Sequence, residues 1–388
     1  MDILNRKVPD MAGIDFECTC GKRHSVGIKQ ILCGSGVKSG LADVVKTLGG
    51  KHVFMLADNN TYRVLGEYAG NLMKNSGLCV HTKIFCGETP LVPNESVLGS
   101  ALAEMEPEDD IIVAVGSGSL NDTARMLSAR LRIPYVIAAT APSMDGYAST
   151  VSPLILDGQK ITKAAVYPAA IVADTSIMKD APYEMLTAGY GDIIGKFTAL
   201  ADWRLSRELN GEYYCPQSVA LMEKAVHKCV ENGTRLQKRD EEAVGYVTEA
   251  LILSGVAMGL VGNSRPASGA EHHFSHYWEV EYLKKGMEHP LHGNSVGVAA
   301  VISSALYELA RPFLPAGFIA PDSEAIRRAL DGAGACADPK SLGISRDLFI
   351  ESVIHAMEIR ERFTILRLCD NFGKLPEFAD ILAERYYN

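Results

Sequence analysis

The chain has 388 residues, of which 47% are hydrophobic and 22% charged, and its formal net charge is -9 at pH 7. This length and composition predict an ordered globular protein of about two domains. The acidic balance argues against nucleic acid as the main partner, because phosphate backbones are bound by clustered Lys and Arg. A small anionic ligand stays compatible with it, since a local pocket can be positive on an acidic protein.

The nine cysteines are spread from Cys18 to Cys369 and predict reduced side chains in a cytoplasmic protein. The N-terminal stretch MDILNRKVPD has no apolar run, so no signal peptide is expected. The longest apolar stretch, LILSGVAMGLVG (251–262), is too short to span a bilayer, and we expect no membrane insertion.

The first cluster of chemically reactive side chains is CTCGKRH (18–24). It offers Cys18, Cys20 and His24 as metal ligands, but no fourth ligand follows at the spacing of a zinc finger. Gly21 and Lys22 stand between two short extended runs and predict a hairpin turn. The hairpin is the preferred interpretation, and a metal site is the alternative.

Short β-branched, apolar runs alternate with helical patterns through the first half of the chain. The runs are KHVFMLAD (51–58), CVHTKIF (79–85), DIIVAVG (110–116), PYVIAAT (134–140) and AAIVADTS (169–176). This alternation predicts a parallel sheet that helices cover on both faces. The segment 151–167 predicts a β-hairpin that turns at Asp157 and Gly158.

After Pro182 the sequence changes to long amphipathic helical patterns, at 184–208, 216–238, 241–262 and 346–360. We therefore expect an α/β domain over 1–180 and an all-α domain over 181–388. The cleft between the two domains is the default place for an active site.

A glycine-rich turn in IIVAVGSGSLNDTARML (111–127) follows a buried strand and opens a helix. Gly116 and Gly118 would let the backbone approach a ligand, and the N–H groups at the helix start favour an anion. The turn lacks the third glycine of GxGxxG and the lysine of a Walker loop. A plain turn with Asn121 or Asp122 as helix cap is therefore an equal alternative.

The upstream turn LCGSGVKSG (32–40) resembles the same fingerprint, with Asp58 near its acidic position. It follows a weak strand, IKQILC, and Lys38 and Ser39 suit an exposed turn, so the later loop is preferred. Asp58 still ends a strand at the carboxyl edge of the sheet. There it would be able to bond a ribose hydroxyl and to repel a 2′-phosphate.

The loop ATAPSMDGYAST (139–150) follows the next strand and should open at the same edge of the sheet. It crowds hydrogen-bonding groups together, namely Thr140, Ser143, Asp145, Tyr147 and Ser149. A buried structural loop rarely needs so many of them, which favours a binding role. The alternative is an exposed turn around Asp145 and Gly146.

The stretch TAGYGDIIGKF (187–197) places Asp192 and Lys196 at i and i+4 near the start of an apolar helix. A solvated ion pair is the ordinary interpretation of such a pair. The apolar and glycine neighbours instead indicate a buried, closely approached helix. A carboxylate there needs a partner, and a cation would serve.

Two histidine-rich stretches follow, GAEHHFSH and HPLHG. In the first, His272 and His276 share one helix face, which suits a metal or an anionic substrate as well as a half-buried helix. The second supplies His289 and His292 before another apolar helix. Asp192 with one histidine from each stretch would form a three-ligand O/N site with open positions, as in catalytic metal centres.

Taken together, VGSGSLND, TAPSMDGYAS, GYGDIIGK, SRPASGAEHHFSH and HGNSVGV resemble the sn-glycerol-1-phosphate dehydrogenases, notably their bacterial metal-dependent form. That family is related to glycerol dehydrogenase, iron-containing alcohol dehydrogenases and 3-dehydroquinate synthase. SRPASGAEH and SMDGYAS are far more specific than any glycine loop, and Ser117 is a departure from the glycine that relatives often have. The resemblance implies a Rossmann-like N-terminal domain, a helical C-terminal domain and an active site in the cleft between them.

The resemblance also implies a function, the reversible NAD(P)H-dependent reduction of dihydroxyacetone phosphate to sn-glycerol 1-phosphate. NAD(H) is the expected cofactor with NADP(H) as the alternative, together with one divalent metal ion, either Ni, Zn, Fe or Co. The partner is then a small phosphorylated substrate, and a homo-oligomer of two or more chains is expected. The substrate phosphate needs a cation, for which Arg265 and Lys163 are candidates by position and charge.

Site residues follow from the resemblance position by position. Asp192, His272 and His292 match the metal ligands, and Asp145, Asp192 and His276 match catalytic and substrate contacts. Dinucleotide contacts are implied for Asp58, Gly118, Ser119, Leu120, Asn121, Asp122, Thr140, Ala141, Pro142, Ser143 and Ser149.

Two of these choices lie between neighbouring histidines. The i, i+4 spacing and the family pattern favour His272 over His273, which would then be a packing or supporting residue. Gly293 directly after His292 favours that histidine over His289.

Three other functions stay open as alternatives. A glycerol dehydrogenase-like enzyme would act on unphosphorylated polyols, and a dehydroquinate synthase-like sugar-phosphate cyclase would retain NAD as a transient hydride store. A non-catalytic metabolite-binding homologue is the least favoured, because every position of the proposed metal triad is present.

Overall fold

The computed structural model describes residues 3–87 and 90–388. Strands lie in the first half of this described chain, and helices make up the second half. The strands are β1 (Asp15–Glu17), β2 (Arg23–Ser25), β3 (Gln30–Gly34), β4 (His52–Asp58), β5 (Cys79–Phe85), β6 (Ile111–Gly116), β7 (Tyr135–Ala139), β8 (Val151–Leu156), β9 (Gln159–Ala164) and β10 (Ala170–Asp174). The helices are α1 (Leu41–Thr47), α2 (Asn59–Thr61), α3 (Glu67–Asn75), α4 (Glu95–Glu104), α5 (Gly118–Leu131), α6 (Thr175–Met178), α7 (Tyr183–Ile194), α8 (Lys196–Asn210), α9 (Pro216–Asn232), α10 (Glu241–Val261), α11 (Ala270–Lys284), α12 (His292–Leu309), α13 (Ser323–Gly332), α14 (Arg346–His355), α15 (Ile365–Asn371) and α16 (Leu375–Tyr387).

Six of the described strands form one parallel sheet in the order β3-β10-β7-β6-β4-β5. Every residue of β6, β7 and β10 is buried, as expected for strands that helices cover on both faces. Gly116 at the end of β6 lies opposite Ala139 at the end of β7, so the loops after these strands open side by side. The predicted α/β part followed by a helical part is confirmed.

Two antiparallel hairpins stand apart from this sheet, and both were predicted. The first pairs β1 with β2 across the CTCGKRH turn. The second pairs β8 with β9 and turns at Asp157 and Gly158, which have φ angles of 51° and 72°. Positive φ at both central residues is the geometry that matches a tight hairpin to the twist of its strands.

Some predicted elements differ from the structure in extent. The weak strand IKQILC contributes to β3, an edge strand that pairs with β10. The pattern at 184–208 is two helices, because the Thr198 N–H bonds the Gly195 carbonyl three residues back and tightens the chain there. The patterns at 216–238 and 346–360 end as α-helix at Asn232 and His355 and continue as 3-10 turns.

The upstream glycine turn has its N–H groups occupied by protein. The carboxylate of Asp174, at the end of β10, accepts hydrogen bonds from the N–H groups of Gly36 at 3.1 Å and Lys38 at 2.9 Å. A phosphate would have to displace this carboxylate. This agrees with the preference for the later loop.

One hydrophobic core joins the two halves of the chain. It contains Ile14 and Ile28 from the N-terminal segment, Ile137 from the sheet, and Val226 and Val256 from the helical half. Helix α10 is long and apolar enough to cross a membrane by length and composition alone, but 67% of its apolar window is buried inside the protein. Its packing in the core accounts for its apolar sequence.

Candidate metal and substrate site

Helices α7 and α12 approach each other at backbone contact because glycines line their interface. A Cβ on Gly293 would collide with the carbonyl of Ala188, and a Cβ on Gly191 with the carbonyl of Gly293. This packing places Asp192, near the end of α7, beside His292, the first residue of α12. The glycines of GYGDIIGK and HGNSVGV therefore bring together two side chains that are far apart in sequence.

The loop after β7 lies against the same helix. The carbonyl of Pro142 occupies the space that a Cβ on Gly189 would need. Farther along this loop, the Asp145 N–H donates to Asp192 Oδ2 at 2.9 Å. Lys196 Nζ lies 2.9 Å from Asp145 Oδ2 and donates to Asp192 Oδ1 at 2.5 Å. The buried lysine thus bridges two carboxylates, as the sequence around Asp192 indicated.

Asp192, His272 and His292 form a cluster whose ligand atoms all lie within 4.8 Å of one another. His272 Nε2 is 3.9 Å from Asp192 Oδ1. The carboxylate of Glu271 lies 2.8 Å from His272 Nδ1, and the hydroxyl of Ser275 lies 3.3 Å from His292 Nδ1. These partners orient both rings with Nε2 towards the cluster, as carboxylates and hydroxyls do behind metal-binding histidines.

The electrostatics of the cluster favour a cation. Burial raises the pKa of Asp145, but the charge of Lys196 and the hydrogen bonds from Lys196 and Ser254 outweigh burial and lower that pKa to about 2. Burial and the charge of Asp145 raise the pKa of Asp192 to about 6. Burial lowers the pKa of Lys196, but its two carboxylate partners raise it above the ordinary value. Two carboxylates and one ammonium leave one net negative charge.

The two histidines of the cluster are neutral bases. Burial, followed by the charge of Lys196, lowers the pKa of His272 well below its ordinary value. Burial and the charge of Lys160 lower the pKa of His292 to about 4. One carboxylate and two neutral imidazoles, with a net charge of minus one that includes this carboxylate, are a donor set that fits a divalent metal.

His276 lies at the margin of this cluster. Its ring stacks on His292 with centroids 5.4 Å apart, and its centroid is 5.9 Å from that of His272. Burial lowers the pKa of His276 well below its ordinary value. In the described part of the chain its ring nitrogens have no hydrogen-bond partner, so they are free to meet a ligand.

The two alternative histidines lie elsewhere. His273 is buried, and neither of its ring nitrogens has a partner among the described residues. Burial and nearby arginines lower its pKa to about 3. His289 is on the surface, with Nε2 3.7 Å from Glu279. The cluster thus contains His272 and His292, the two that the sequence favoured.

Solved structures share this fold. A probable glycerol dehydrogenase from Sinorhizobium meliloti matches with a TM-score of 0.66 and 20% identity, covering 90% of this chain and 97% of that one. Maleylacetate reductase from Agrobacterium tumefaciens matches with a TM-score of 0.71 and 16% identity, covering 92% and 97%. At these identities the likeness shows the fold alone.

Sequence comparison is more specific. The iron-containing alcohol dehydrogenase model matches residues 32–182. The chain is 34% identical to glycerol-1-phosphate dehydrogenase [NAD(P)+] of Halalkalibacterium halodurans, over 94% of this chain and 98% of that protein. It is 33% identical to the Bacillus subtilis enzyme of the same name, over 94% and 96%. The chain belongs to the glycerol-1-phosphate dehydrogenase family. The expected family and its oxidoreductase class are confirmed.

Apart from Asp58, which ends β4, the dinucleotide contacts implied by the family pattern lie at the start of α5 and in the loop after β7. Ser117 Oγ and Ser143 Oγ are 2.6 Å apart, and the Thr140 N–H donates to the Gly116 carbonyl at 3.0 Å. Gly116 itself is needed because a Cβ there would collide with Leu120. Gly116 therefore has a packing role, and the approach of a ligand to Gly116 and Gly118 stays a prediction.

The side chains of this predicted set divide by exposure. Partly exposed are Asp58, Gly118, Ser119, Ser143 and Ser149; buried are Leu120, Asn121, Asp122, Thr140, Ala141 and Pro142. Asn121 Nδ2 donates to the Gly146 carbonyl at 3.1 Å, and Asp122 accepts from Arg125 at 2.5 Å. Burial raises the pKa of Asp122 to about 6, although Arg125 opposes it. Both side chains have structural partners, while Asn121 Oδ1 is buried without a hydrogen-bond partner among the described residues.

The cations near the histidines differ from the candidates that the sequence offered. Arg265 is held by Glu212, with Arg265 Nε 2.7 Å from Glu212 Oε1. Lys163 lies on β9, but the β9 lysine that reaches α11 is Lys160, which pairs with Glu279. Arg265 and Lys163 therefore stay predictions for the phosphate, although Arg265 already has a carboxylate partner.

Sequence reasoning missed Arg360 and Arg362, which follow α14. Both are half-buried, and neither forms an ion pair with an acidic side chain in residues 3–87 and 90–388. Arg362 donates to the hydroxyl of Ser264 at 2.8 Å and to the carbonyl of Ser268, just before α11. Arg360 reaches Ser264 Oγ at 3.4 Å. No local pattern marks the two arginines, but their partners belong to the SRPAS motif.

We expect Gly293→Ala to weaken both the fold and metal binding, because its Cβ would push α12 away from the Ala188 carbonyl and move His292. Backbone contacts of this kind cannot relax cheaply, and overpacking costs about 1–3 kcal/mol. Thermal unfolding and metal content measure the two effects. Gly99→Ala is the matched control, since nothing lies within 4 Å of a Cβ there. A Gly293→Ala protein with unchanged melting temperature and metal content would contradict the proposed close packing.

Proposed function

We propose that this protein is an NAD(P)H-dependent, metal-assisted dehydrogenase that interconverts dihydroxyacetone phosphate and sn-glycerol 1-phosphate. The observation that supports it is the cluster of Asp192, His272 and His292 beside the Asp145–Lys196 pair, in a chain of the glycerol-1-phosphate dehydrogenase family. A polyol dehydrogenase is the alternative, and the substrate comparison below separates the two.

Asp192, His272 and His292 would hold one divalent ion, with Ni, Zn, Fe and Co all compatible with one carboxylate and two imidazoles. When bound, such an ion is a Lewis acid that favours charge on a substrate carbonyl oxygen. Lys196 and the Asp145 N–H fix the Asp192 carboxylate from two sides. Ser254 donates to Asp145 Oδ2 at 2.7 Å, so the carboxylates keep their places without a ligand.

His276 is the proposed proton carrier. Its neutral ring has one donor and one acceptor nitrogen, and both are free of partners in the described chain. A ring of this kind passes a proton between water and a substrate oxygen at Nε2 or Nδ1. Asp145, at the end of the loop that faces the cluster, would contact the substrate hydroxyls.

The dinucleotide would lie along the carboxyl edge of the sheet, within the domain that we assign to residues 1–180. The first N–H groups of α5, from Gly118 onward, are suited to the pyrophosphate. Ser143 and Ser149 offer hydroxyls from the neighbouring loop. This arrangement puts the nicotinamide side of the cofactor near the helical domain of residues 181–388.

We expect kcat/KM to be higher with NADH than with NADPH, and the substitution Asp58→Ser to reduce this difference. Asp58 caps α2 through Oδ1, which accepts from the N–H groups of Asn60 and Thr61 at 2.8 Å. Its remaining oxygen would accept a ribose hydroxyl and repel a 2′-phosphate. Serine also caps helices, so the fold should persist. The ratio of kcat/KM for the two cofactors is the measurement, and an unchanged ratio would place the discrimination elsewhere.

The substrate phosphate is assigned to Arg360 and Arg362. Arg265 and Arg362 both lie near the Glu212 carboxylate, and all three arginines lie near His273. A surplus of positive charge beside the histidine helix suits a phosphate dianion. The proposed site therefore binds the substrate phosphate at one end and the substrate carbonyl at the other.

The function is tested by following NADH loss with dihydroxyacetone phosphate and identifying the product. We expect turnover, and a product that a stereospecific sn-glycerol 3-phosphate dehydrogenase does not consume. Consumption by that enzyme would contradict the sn-1 assignment. Bound NAD with substrate converted and no net NADH loss would indicate a sugar-phosphate cyclase instead. Absence of any turnover with cofactor bound would indicate a binding protein.

We also place the protein in the cytoplasm, as an oligomer of two or more identical chains. None of the nine cysteines forms a disulfide, which suits a reducing compartment.

A further inference from the structure

A second group of metal-ligating side chains lies away from the proposed active site. The turn between β1 and β2 supplies Cys18, Cys20 and His24, and the residue before α9 supplies Cys215. These four were not recognisable together in the sequence, because Cys215 lies 191 positions after His24. Folding provides the fourth ligand that the local spacing lacked.

The distances in this Cys3His group match a tetrahedral zinc site. Cys18 Sγ is 3.8 Å from Cys215 Sγ, and His24 Nε2 is 3.2 Å from Cys20 Sγ and 3.4 Å from Cys215 Sγ. Zinc bonds of about 2.3 Å to sulfur and about 2.0 Å to nitrogen give tetrahedron edges of about 3.8 Å for S···S and about 3.5 Å for S···N. All four ligand atoms lie within 4.8 Å of one another.

The surroundings fix these atoms in place. The Cys18 N–H bonds the Lys22 carbonyl at 2.9 Å and the Gly21 N–H bonds the Cys18 carbonyl at 3.0 Å. Gly21 has a φ of 85°, which glycine adopts readily. Tyr213 Oη lies 3.1 Å from Cys20 Sγ. This is the tight turn and the outer hydrogen bonding that position thiolates around a metal.

Core packing without a metal explains the arrangement of these four side chains less well than a zinc site does. His24 is 1% exposed, and in the described chain its Nδ1 has no partner while its Nε2 meets only sulfur atoms. A buried imidazole without oxygen or nitrogen partners is costly in a plain core. A disulfide between Cys18 and Cys215 would leave Cys20 and His24 without a purpose in the same cluster.

We propose that Cys18, Cys20, His24 and Cys215 bind one structural Zn²⁺ ion. With four protein ligands the site is closed, so it takes no part in catalysis. It fastens the N-terminal hairpin to the beginning of α9 and so links the two ends of a long chain segment. The inference is independent of the proposed function, because the proposed active site contains no sulfur ligand.

Metal analysis of the purified protein tests the site. We expect one equivalent of zinc that Cys215→Ser and Cys20→Ser lose and that His292→Ala retains. Cys229→Ser is the matched control, since Cys229 is a buried thiol of α9 outside the cluster. Retention of the full metal content in Cys215→Ser would overturn the proposal.

Replacement of zinc by Co²⁺ gives a readout that needs no activity. Thiolate-bound Co²⁺ has an intense near-ultraviolet charge-transfer band that an O/N site lacks. We expect this band in the wild type and in His292→Ala, and its loss in Cys215→Ser. Its absence from the Co²⁺-loaded wild type would overturn the proposal.

A third measurement uses only the wild type, so it does not depend on whether the variants fold. Titration of the wild-type thiols with a mercurial should release one equivalent of Zn²⁺, detected by a metallochromic dye, as the cluster thiols react. Release of no zinc, or a Cys18–Cys215 disulfide in the mass spectrum of unreduced protein, would overturn the proposal.

Discussion

His272→Ala and Asp192→Asn are each expected to remove the catalytic metal and nearly all turnover while the protein stays folded. Each change deletes one of three ligands whose atoms lie within 4.8 Å of one another. Loss of a side chain that hydrogen-bonds a metal ligand already lowers metal affinity or activity by about 10–100-fold. Loss of the ligand itself should lower them further. Metal content, kcat with dihydroxyacetone phosphate and far-ultraviolet circular dichroism are the three measurements.

His273→Ala is the matched control for this prediction. It removes a buried imidazole from the same helix, one position along, but His273 lies outside the cluster. We expect some loss of stability and retention of metal. Total metal in His272→Ala should fall by one equivalent, with the zinc of the Cys3His site still present. Full occupancy in both ligand variants, or metal loss in His273→Ala alone, would show that the ligands were wrongly chosen.

The sequence was most informative where a function needs several residues in one short stretch. Asp192 and Lys196 are four residues apart on neighbouring turns, and His272 stands next to the glutamate that orients it. Alternating apolar runs predicted the parallel sheet, because a strand buried on both faces must be apolar throughout. Local patterns of this kind can be read without knowing the fold.

Contacts between distant segments could not be read in this way. Cys215 joins a turn at residues 18–24, and Arg362 joins Ser264 from 98 residues away. Nothing in the neighbourhood of either residue shows its partner. Arg265 attracted attention because it lies inside a conspicuous motif, yet Glu212 neutralises it. A charge is available to a ligand only when the fold leaves it unpaired, and that depends on the whole chain.

The roles of individual glycines also could not be predicted from the local sequence. GSG after β6 suggested a close approach by a ligand, but Gly116 makes room for Leu120. The glycines of α7 and α12 instead make room for backbone carbonyls, at Gly189, Gly191 and Gly293. Each of them shortens the distance between segments that hold site residues. Their importance for the site is therefore indirect, through the packing of the elements that position Asp145, Asp192 and His292.

The phosphorylated ketone should be strongly preferred over the unphosphorylated one. A pocket arranged for a phosphate dianion leaves its cations unpaired when the phosphate is missing, so kcat/KM for dihydroxyacetone should be lower by on the order of a thousandfold or more. Arg360 and Arg362 are the side chains expected to cause this difference, since both approach SRPAS without an acidic partner in the described chain. The measurement compares dihydroxyacetone phosphate with dihydroxyacetone at saturating NADH.

Arg360→Ala should raise KM for dihydroxyacetone phosphate and leave the slow rate with dihydroxyacetone unchanged, because only the phosphorylated substrate uses the guanidinium. Arg360→Lys should recover part of the loss, as lysine keeps the charge but not the forked geometry. Arg367→Ala is the control, since Arg367 is nearby in sequence but pairs with Asp370 at 3.2 Å. Arg362 is a poorer first target, because it also bonds the Ser268 carbonyl and supports the start of α11. Equal rates on the two ketones in the wild type would indicate a glycerol dehydrogenase. An unchanged KM for dihydroxyacetone phosphate in Arg360→Ala would show that other cations bind the phosphate.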